Sequence, residues 1–283
     1  MKKITIVFIT FFYFSGFGQN KLNTSKKELS SGSSSQKQSS VSNGSSKEKK
    51  TKSSDDSNVD FELVKVAAEV LLYATYGVFK YGIIGDYHNE NHLYSNLTPY
   101  PFYNGKSGNF EKGDTLSITK NKARLDIENS FVYNSNTLFG NHLKAKIRPF
   151  QYFYLQTDFQ QLFEFNKIDN TNSRFSLFQF NINYDRIRFE KFNFGWNLGA
   201  TYVGNEVKKG GFAYGLNAEY FMDNRISIFA SAKWCSINNA PLNTYELQGK
   251  FYRKNYFFSL GLEHLKMASP TYSLVSFGGG INF

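Results

Sequence analysis

Cysteine and proline are scarce in this chain, with one Cys and five Pro in 283 residues. The single thiol, Cys235, excludes an intramolecular disulfide and a thiol-rich metal centre, and its apolar neighbours mark it as a packing residue rather than a nucleophile. Long apolar runs are missing as well. Residues 4–14 form an apolar stretch too short for a spanning helix, which needs ~20 residues, and a mean hydropathy of −0.44 argues against a bundle of membrane helices. Histidine is equally sparse. Of the four, His88 and His92 are four apart, but they lie in an Asn-rich stretch with no third ligand, so no metal site is expected. No cofactor-binding motif is present.

What is abundant is aromatic: 30 Phe and 19 Tyr. Rings suit a pleated, half-buried surface, which points to strands without separating a soluble β-sandwich from a barrel. A net charge of +10 suggests a phosphate-bearing partner. Position removes most of that suggestion, because Lys2, Lys3, Lys21, Lys26, Lys27, Lys37, Lys47, Lys49, Lys50 and Lys52 all lie in an opening segment without a core. No nucleic-acid partner is expected.

Four segments follow in order. Residues 1–18 carry Lys2 and Lys3, the apolar stretch, and then Ser15-Gly16-Phe17-Gly18, the layout of a cleaved secretory signal peptide. Residues 19–58 are Ser, Lys, Asn, Gln and Gly with almost no large apolar side chain, so they read as a disordered periplasmic tether. In residues 59–114 the stretch 59–80 follows a Ser57-x-x-Asp60 capping box. Glu62, Lys65, Glu69, Tyr73, Tyr76 and Lys80 share one stripe there, and Phe61, Val64, Ala68, Leu71, Leu72, Thr75 and Phe79 cover the remainder, the pattern of an amphipathic helix. Two placements suit it: docked on or in the periplasmic mouth of a barrel, or lying at the inner leaflet with its apolar face in lipid. Residues 86–112 read as an irregular connection.

From residue 115 to 283 the pattern changes to period two. Ala123, Leu125, Ile127 and Phe131 alternate with Arg124, Asp126 and Glu128, and then Leu143, Ala145 and Ile147 alternate with Lys144, Lys146 and Arg148. About ten strands are predicted, near 115–133, 140–149, 151–165, 173–186, 190–204, 209–222, 225–237, 242–253, 256–267 and 271–283. Most reach the ~9–11 residues of a tilted membrane strand and exceed the ~5–6 typical of soluble sheets. Tight links, as at 149–151 and 254–255, alternate with links expected to be longer, as at 134–140 and 238–241, the rhythm of an outer-membrane barrel. One face of the later strands carries Phe192, Phe194, Trp196, Leu198, Ala200 and Tyr202, then Tyr214, Leu216, Ala218 and Tyr220, then Ile226, Ile228, Ala230, Ala232 and Trp234. Rings at strand ends with smaller apolar residues between them would form two girdles against lipid. The fold expected is therefore all-β, a transmembrane antiparallel up-and-down barrel preceded by an amphipathic helix.

The final stretch, 271–283, resembles the C-terminal β-signal of outer-membrane proteins: polar Ser276, then Gly278, then Ile281 and Phe283. Together with the leader and the Gln after it, this makes residues 115–283 similar to small outer-membrane barrels of the Bacteroidota type. The resemblance implies outer-membrane lipid and the barrel-assembly machinery as partners, a location in the cell outer membrane with the N-terminal segment in the periplasm, and Val275, Phe277, Ile281 and Phe283 facing lipid.

In that register the lumen receives Arg124, Lys144, Lys146, Arg148, Lys233 and Lys250 against Asp126, Glu128, Asp158, Asp185, Glu219, Glu246 and Glu263. Near-balanced charge in a small barrel predicts ion pairs, and wide channels need ~16 strands. Three functions stay open: a structural or interaction barrel of the envelope with a possible periplasmic partner through residues 19–80, a narrow channel for a small solute, and an outer-membrane hydrolase or acyltransferase. The last would need a nucleophile, a base and an orienting group at one level. His142 and His264, with Ser135 and Ser269 nearby in sequence, read as rim residues rather than that constellation, so no catalytic residue is assigned.

Overall fold

The computed structural model describes residues 20–31, 69, 72–73, 75–85, 90, 95–112, 123–166 and 171–283. Ten long strands dominate it: β3 (Arg124–Ser135), β4 (Leu138–Arg148), β5 (Phe153–Asn166), β6 (Thr171–Arg188), β7 (Phe192–Val203), β8 (Lys209–Met222), β9 (Ile226–Ile237), β10 (Ala240–Arg253), β11 (Tyr256–Met267) and β12 (Thr271–Asn282). Each pairs antiparallel with its neighbours in sequence, and β12 pairs with β3, so the sheet closes into a barrel without edges. Closure removes the unpaired backbone groups that an open sheet presents.

Alternation decides which side chains go inward. Along β4, Leu138, His142, Lys144, Lys146 and Arg148 are buried, while Leu143 and Ile147 are exposed on the outside. The outer face is apolar all round, with Phe131, Phe180, Ile182, Leu198, Leu216, Leu247, Leu260, Leu262 and Phe277 among its exposed side chains. Rings meet across strands on that face, as Tyr184 does with Trp196 (centroids 5.3 Å apart) and Tyr214 with Trp234 (5.6 Å). Register changes only at two bulges, one of which makes Arg186 the extra residue between Asp185 and Ile187.

One expectation about the strands is corrected. The described part of the first barrel strand begins at Arg124, and 113–122, where that strand was expected to start, lie outside the described residues. The links expected to be longer are not uniformly so: β3 and β4 are joined by Asn136 and Thr137 alone, and β9 and β10 by Asn238 and Asn239. Both asparagines take positive φ, 51° and 62°, the two-residue hairpin geometry that matches strand twist. Asn tolerates that region, so the ladder runs on where a loop was expected.

We call the end holding the start of β3 and the finish of β12 the near end, and the other the far end. Helix α1 (Lys21–Ser31) occupies the far end. It buries Leu22, Ser25, Lys26 and Leu29, one face of a helix, against an apolar collar that includes Val132, Leu162, Phe175, Leu177, Leu265 and Leu274. The Glu164 carboxylate accepts the backbone N–H groups of Leu22 (2.8 Å) and Lys21 (3.1 Å), which places a negative charge at the helix N-terminus. Ser25 Oγ donates to the Met267 carbonyl, Lys26 pairs with Glu206, and Asn238 Nδ2 donates to the Leu29 carbonyl at 2.7 Å. Residues 21–31 of the 19–58 segment, read from sequence as unstructured, are thus an ordered plug; 1–19, which include the stretch read as a signal peptide, and 32–58 lie outside the described residues.

The near end is covered by residues 95–112, read from sequence as irregular. They contain a short antiparallel pair, β1 (Ser95–Leu97) with β2 (Phe110–Lys112). Arg124 donates to Asn109 Oδ1 (2.9 Å) and to the Thr98 carbonyl (3.3 Å), and the Phe102 ring stands 5.8 Å from that of Phe221 and 5.5 Å from that of Tyr252. Gly108 has φ 102°, and a Cβ there would run into the Glu190 carbonyl, so this cover sits directly on the barrel rim. The helical stretch before it runs to Ile84, as a π-helix over Val78–Ile84; 59–68 lie outside the described residues.

Candidate functional site

The lumen between the two covers is where the charged side chains meet. Asp126, Glu128, Lys144, Lys146, Arg148, Asp158, Asp185, Lys233, Lys250 and Glu263 all point inward, as do Arg124, Glu219 and Glu246. Three of their pairs join strands three or four places apart in the ring, and a fourth joins strands two places apart. Lys144 on β4 pairs with Glu246 on β10. Lys233 on β9 reaches Asp158 on β5 at 2.7 Å, Lys250 on β10 reaches Glu128 on β3 at 2.8 Å, and Arg148 on β4 reaches Asp185 on β6 at 2.5 Å. Side chains therefore bridge the bore rather than line it.

His142 stands in the middle of this network. Its Nδ1 lies 3.1 Å from both Glu263 carboxylate oxygens and its Nε2 lies 3.5 Å from Asp158, while Gln160 donates to Glu263 at 2.8 Å. The expectation of a rim histidine is thereby corrected for His142. The alternation that carries Lys144 inward carries His142 inward too. His264 is exposed on the outer face, where its Nδ1 is 3.1 Å from Ser273 Oγ. The two histidines stand on opposite sides of the wall and form no pair. Ser135 bonds Thr137 at the far turn, and the Ser269 backbone N–H donates to Glu28 of α1, so neither serine approaches His142 as a nucleophile.

His142, Glu246 and Glu263 bring ligand-type atoms within 4.8 Å of one another. Their charge is already met by the chain itself, because Lys144 sits on Glu246 and His142 and Gln160 sit on Glu263. His88 and His92 lie outside the described residues. The cavity beside His142, lined also by Asp158, Lys233, Glu246 and Glu263, has about 20 Å³, room for about one water.

Lys146 has no carboxylate partner among the described residues. Its ammonium lies 4.5 Å from the Phe229 ring centre, and Lys250 and Lys144 approach the same ring at 5.1 and 6.0 Å. An inward phenylalanine beneath three ammonium groups stabilises them through its ring face. Sequence reading passed over Phe229, although its place between Ser227 and Ser231 on the inward face was the available signal. The wall of β6, β7 and β8 is different again: Asn181, Asn183, Asn197 and Asn217 are buried there, and the side chains of Asn181, Asn197 and Asn217 cross the glycines of neighbouring strands, Gly199, Gly215 and Gly195, where a Cβ would meet their amide atoms.

Of the residues read from sequence as an assembly signal, Ser276 is inward and buried, and Gly278 lies where a Cβ would meet the Asn129 carbonyl and Ser130 of β3. Ile281 pairs with Ile127, Phe283 is exposed on the outside, and its N–H donates to the Leu125 carbonyl at 2.8 Å.

No protein-family profile and no curated protein sequence matches the chain. Among solved structures, the outer membrane protein Ail of Yersinia pestis in a phospholipid nanodisc aligns at 12% identity with a TM-score of 0.33, covering 57% of this chain and 100% of that one. The KdgM porin aligns at 9% identity and a TM-score of 0.35, covering 56% and 99%. An outer membrane channel from Pseudomonas putida F1 aligns at 8% identity and 0.34, covering 61% and 100%. Each likeness pairs about three fifths of this chain with nearly the whole of another protein.

Proposed function

We propose that this protein spans the bacterial outer membrane as a closed barrel and serves the envelope as a structural or interaction component rather than as a pore or an enzyme. The apolar exterior supports the membrane placement, since Leu, Ile and Phe side chains exposed on every wall suit hydrocarbon and would be costly in water. The leader-like start and the β-signal-like last strand fit export and insertion by the barrel-assembly machinery. One observation carries the choice against a pore: Lys144–Glu246, Lys233–Asp158 and Lys250–Glu128 tie distant walls together across the bore. A solute would have to break pairs whose separated charges are expensive in a dry interior. The covers at both mouths work in the same direction. With Lys21–Ser31 engaged by the barrel, less of the N-terminal segment is left for a periplasmic partner.

Full-length protein inserted in planar bilayers is expected to give no unitary current steps at moderate voltage. Reproducible steps of fixed size would overturn the closed reading. Migration in unheated detergent gels that shifts on boiling is the expected sign of the folded barrel.

A further inference from the structure

The helical turns before the barrel lie outside the ring. The π-helix Val78–Ile84 ends against the outer wall of β6 and β7, where Tyr184 O–H donates to the Ile84 carbonyl at 2.5 Å and Trp196 Nε1–H to the Ile83 carbonyl at 3.1 Å. Arg186, the bulged residue, donates to the carbonyls of Gly82 (3.2 Å) and Tyr81, and its guanidinium is balanced by Glu90 at 2.7 and 2.8 Å. A helix leaves its last carbonyls without internal partners, so donors from the wall take the place that water fills at an ordinary helix end. Gly85 then turns the chain with φ 107°, and a Cβ there would stand 3.1 Å from Arg186 Nη1.

The backbone is fastened, yet the side chains are not covered. Leu72, Tyr73, Tyr76, Val78, Phe79 and Tyr81 are between 51% and 70% exposed. The wall on which the segment ends is itself apolar and exposed, since Ile182 and Leu198 form the next outward pair after Tyr184 and Trp196, and Phe180 follows them on β6. Lys80 places its ammonium 5.8 Å from the Tyr76 ring and 5.4 Å from the Tyr81 ring, which gives the apolar surface one cation among tyrosines, the composition favoured where hydrocarbon meets headgroups.

We infer that residues 72–73 and 75–84 lie in the plane of the leaflet at the near end, as a lipid-embedded anchor held to the barrel wall, with phospholipid as the occupant of the exposed face. Continuity with the wall selects lipid over a second protein, and the satisfied carbonyls allow the segment to sit where water is scarce. The inference rests on the membrane-spanning reading above.

Its test uses the single cysteine. In the full chain carrying Cys235→Ser, one label is placed at Val78→Cys and, separately, at Leu198→Cys on the wall, and the protein is reconstituted in phosphatidylcholine–phosphatidylglycerol vesicles. Both environment-sensitive labels are expected to be quenched by spin-labelled lipid and shielded from iodide. Lipid quenching at position 198 with iodide access at 78 overturns the anchor alone; iodide access at both overturns the membrane reading. Shielding at 78 without lipid quenching means a protein covers the face and also overturns the anchor. Combining Tyr184→Phe with Trp196→Phe removes two donors, and is expected to raise iodide quenching at 78 several-fold while the position 198 label and the gel shift stay unchanged.

Discussion

Lys144 shows how the lumen is organised residue by residue. It pairs with Glu246 on a strand 102 positions later, while Glu128 and Glu263 serve Lys250 and His142 beside it. Breaking one side of such a buried pair leaves the other charge without compensation, so Lys144→Met is expected to cost roughly 3–5 kcal/mol. Thermal unfolding followed by the gel shift reads that loss. The double replacement Lys144→Met with Glu246→Leu is expected to recover most of it, because the pair itself stabilises little once its desolvation is counted. Which residues face inward was legible from alternation alone, Arg124-Asp126-Glu128 and Lys144-Lys146-Arg148 being the plainest cases. Which of them meet was not, because pairing across a ring depends on the stagger of every strand between. The same limit misplaced His142, whose inward side follows from Lys144 but whose depth does not follow from sequence.

At the scale of elements, α1 is the part that sequence reading missed and the strands are the part it read well. An isolated helix of 11 residues is marginal in water, and only two leucines mark its buried face, so composition spoke for an unfolded tether. Tertiary contact supplies what propensity lacks. Leu22 and Leu29 are fully buried, each worth about 1.5–3 kcal/mol, and Glu164 adds charge at the helix start. Replacing both leucines by Asp is expected to release α1 while the barrel persists. Hydrogen exchange checks this: the amides of 22–31 lose protection, and those of β7 and β8 keep it. Loss of protection throughout the barrel would mean that α1 is part of the folding core. The strands were readable because each is long and alternates over most of its length, whereas the turns were misjudged where paired asparagines let the ladder continue.

The whole molecule is a ring, and its seam is the joint between β12 and β3. That joint holds eight residue pairs, from Val275↔Tyr133 to Asn282↔Asp126, against fourteen between β5 and β6. Three successive glycines, Gly278, Gly279 and Gly280, lie within it. Two of them, Gly278 and Gly280, stand where a Cβ would strike the backbone carbonyls of β3. Gly278→Val is therefore expected to abolish the folded, heat-shiftable band, whereas Leu262→Val on the exposed outer face leaves it. The amides of Gly278–Gly280 are expected to exchange ahead of all other mid-strand amides, since local opening follows the lowest contact density. Side chains absent at Gly278 and Gly280 let the two backbones come close at the middle of the joint, and the same bareness makes this the line along which the cylinder would unbutton sideways, leaving its opposite walls still hooked together.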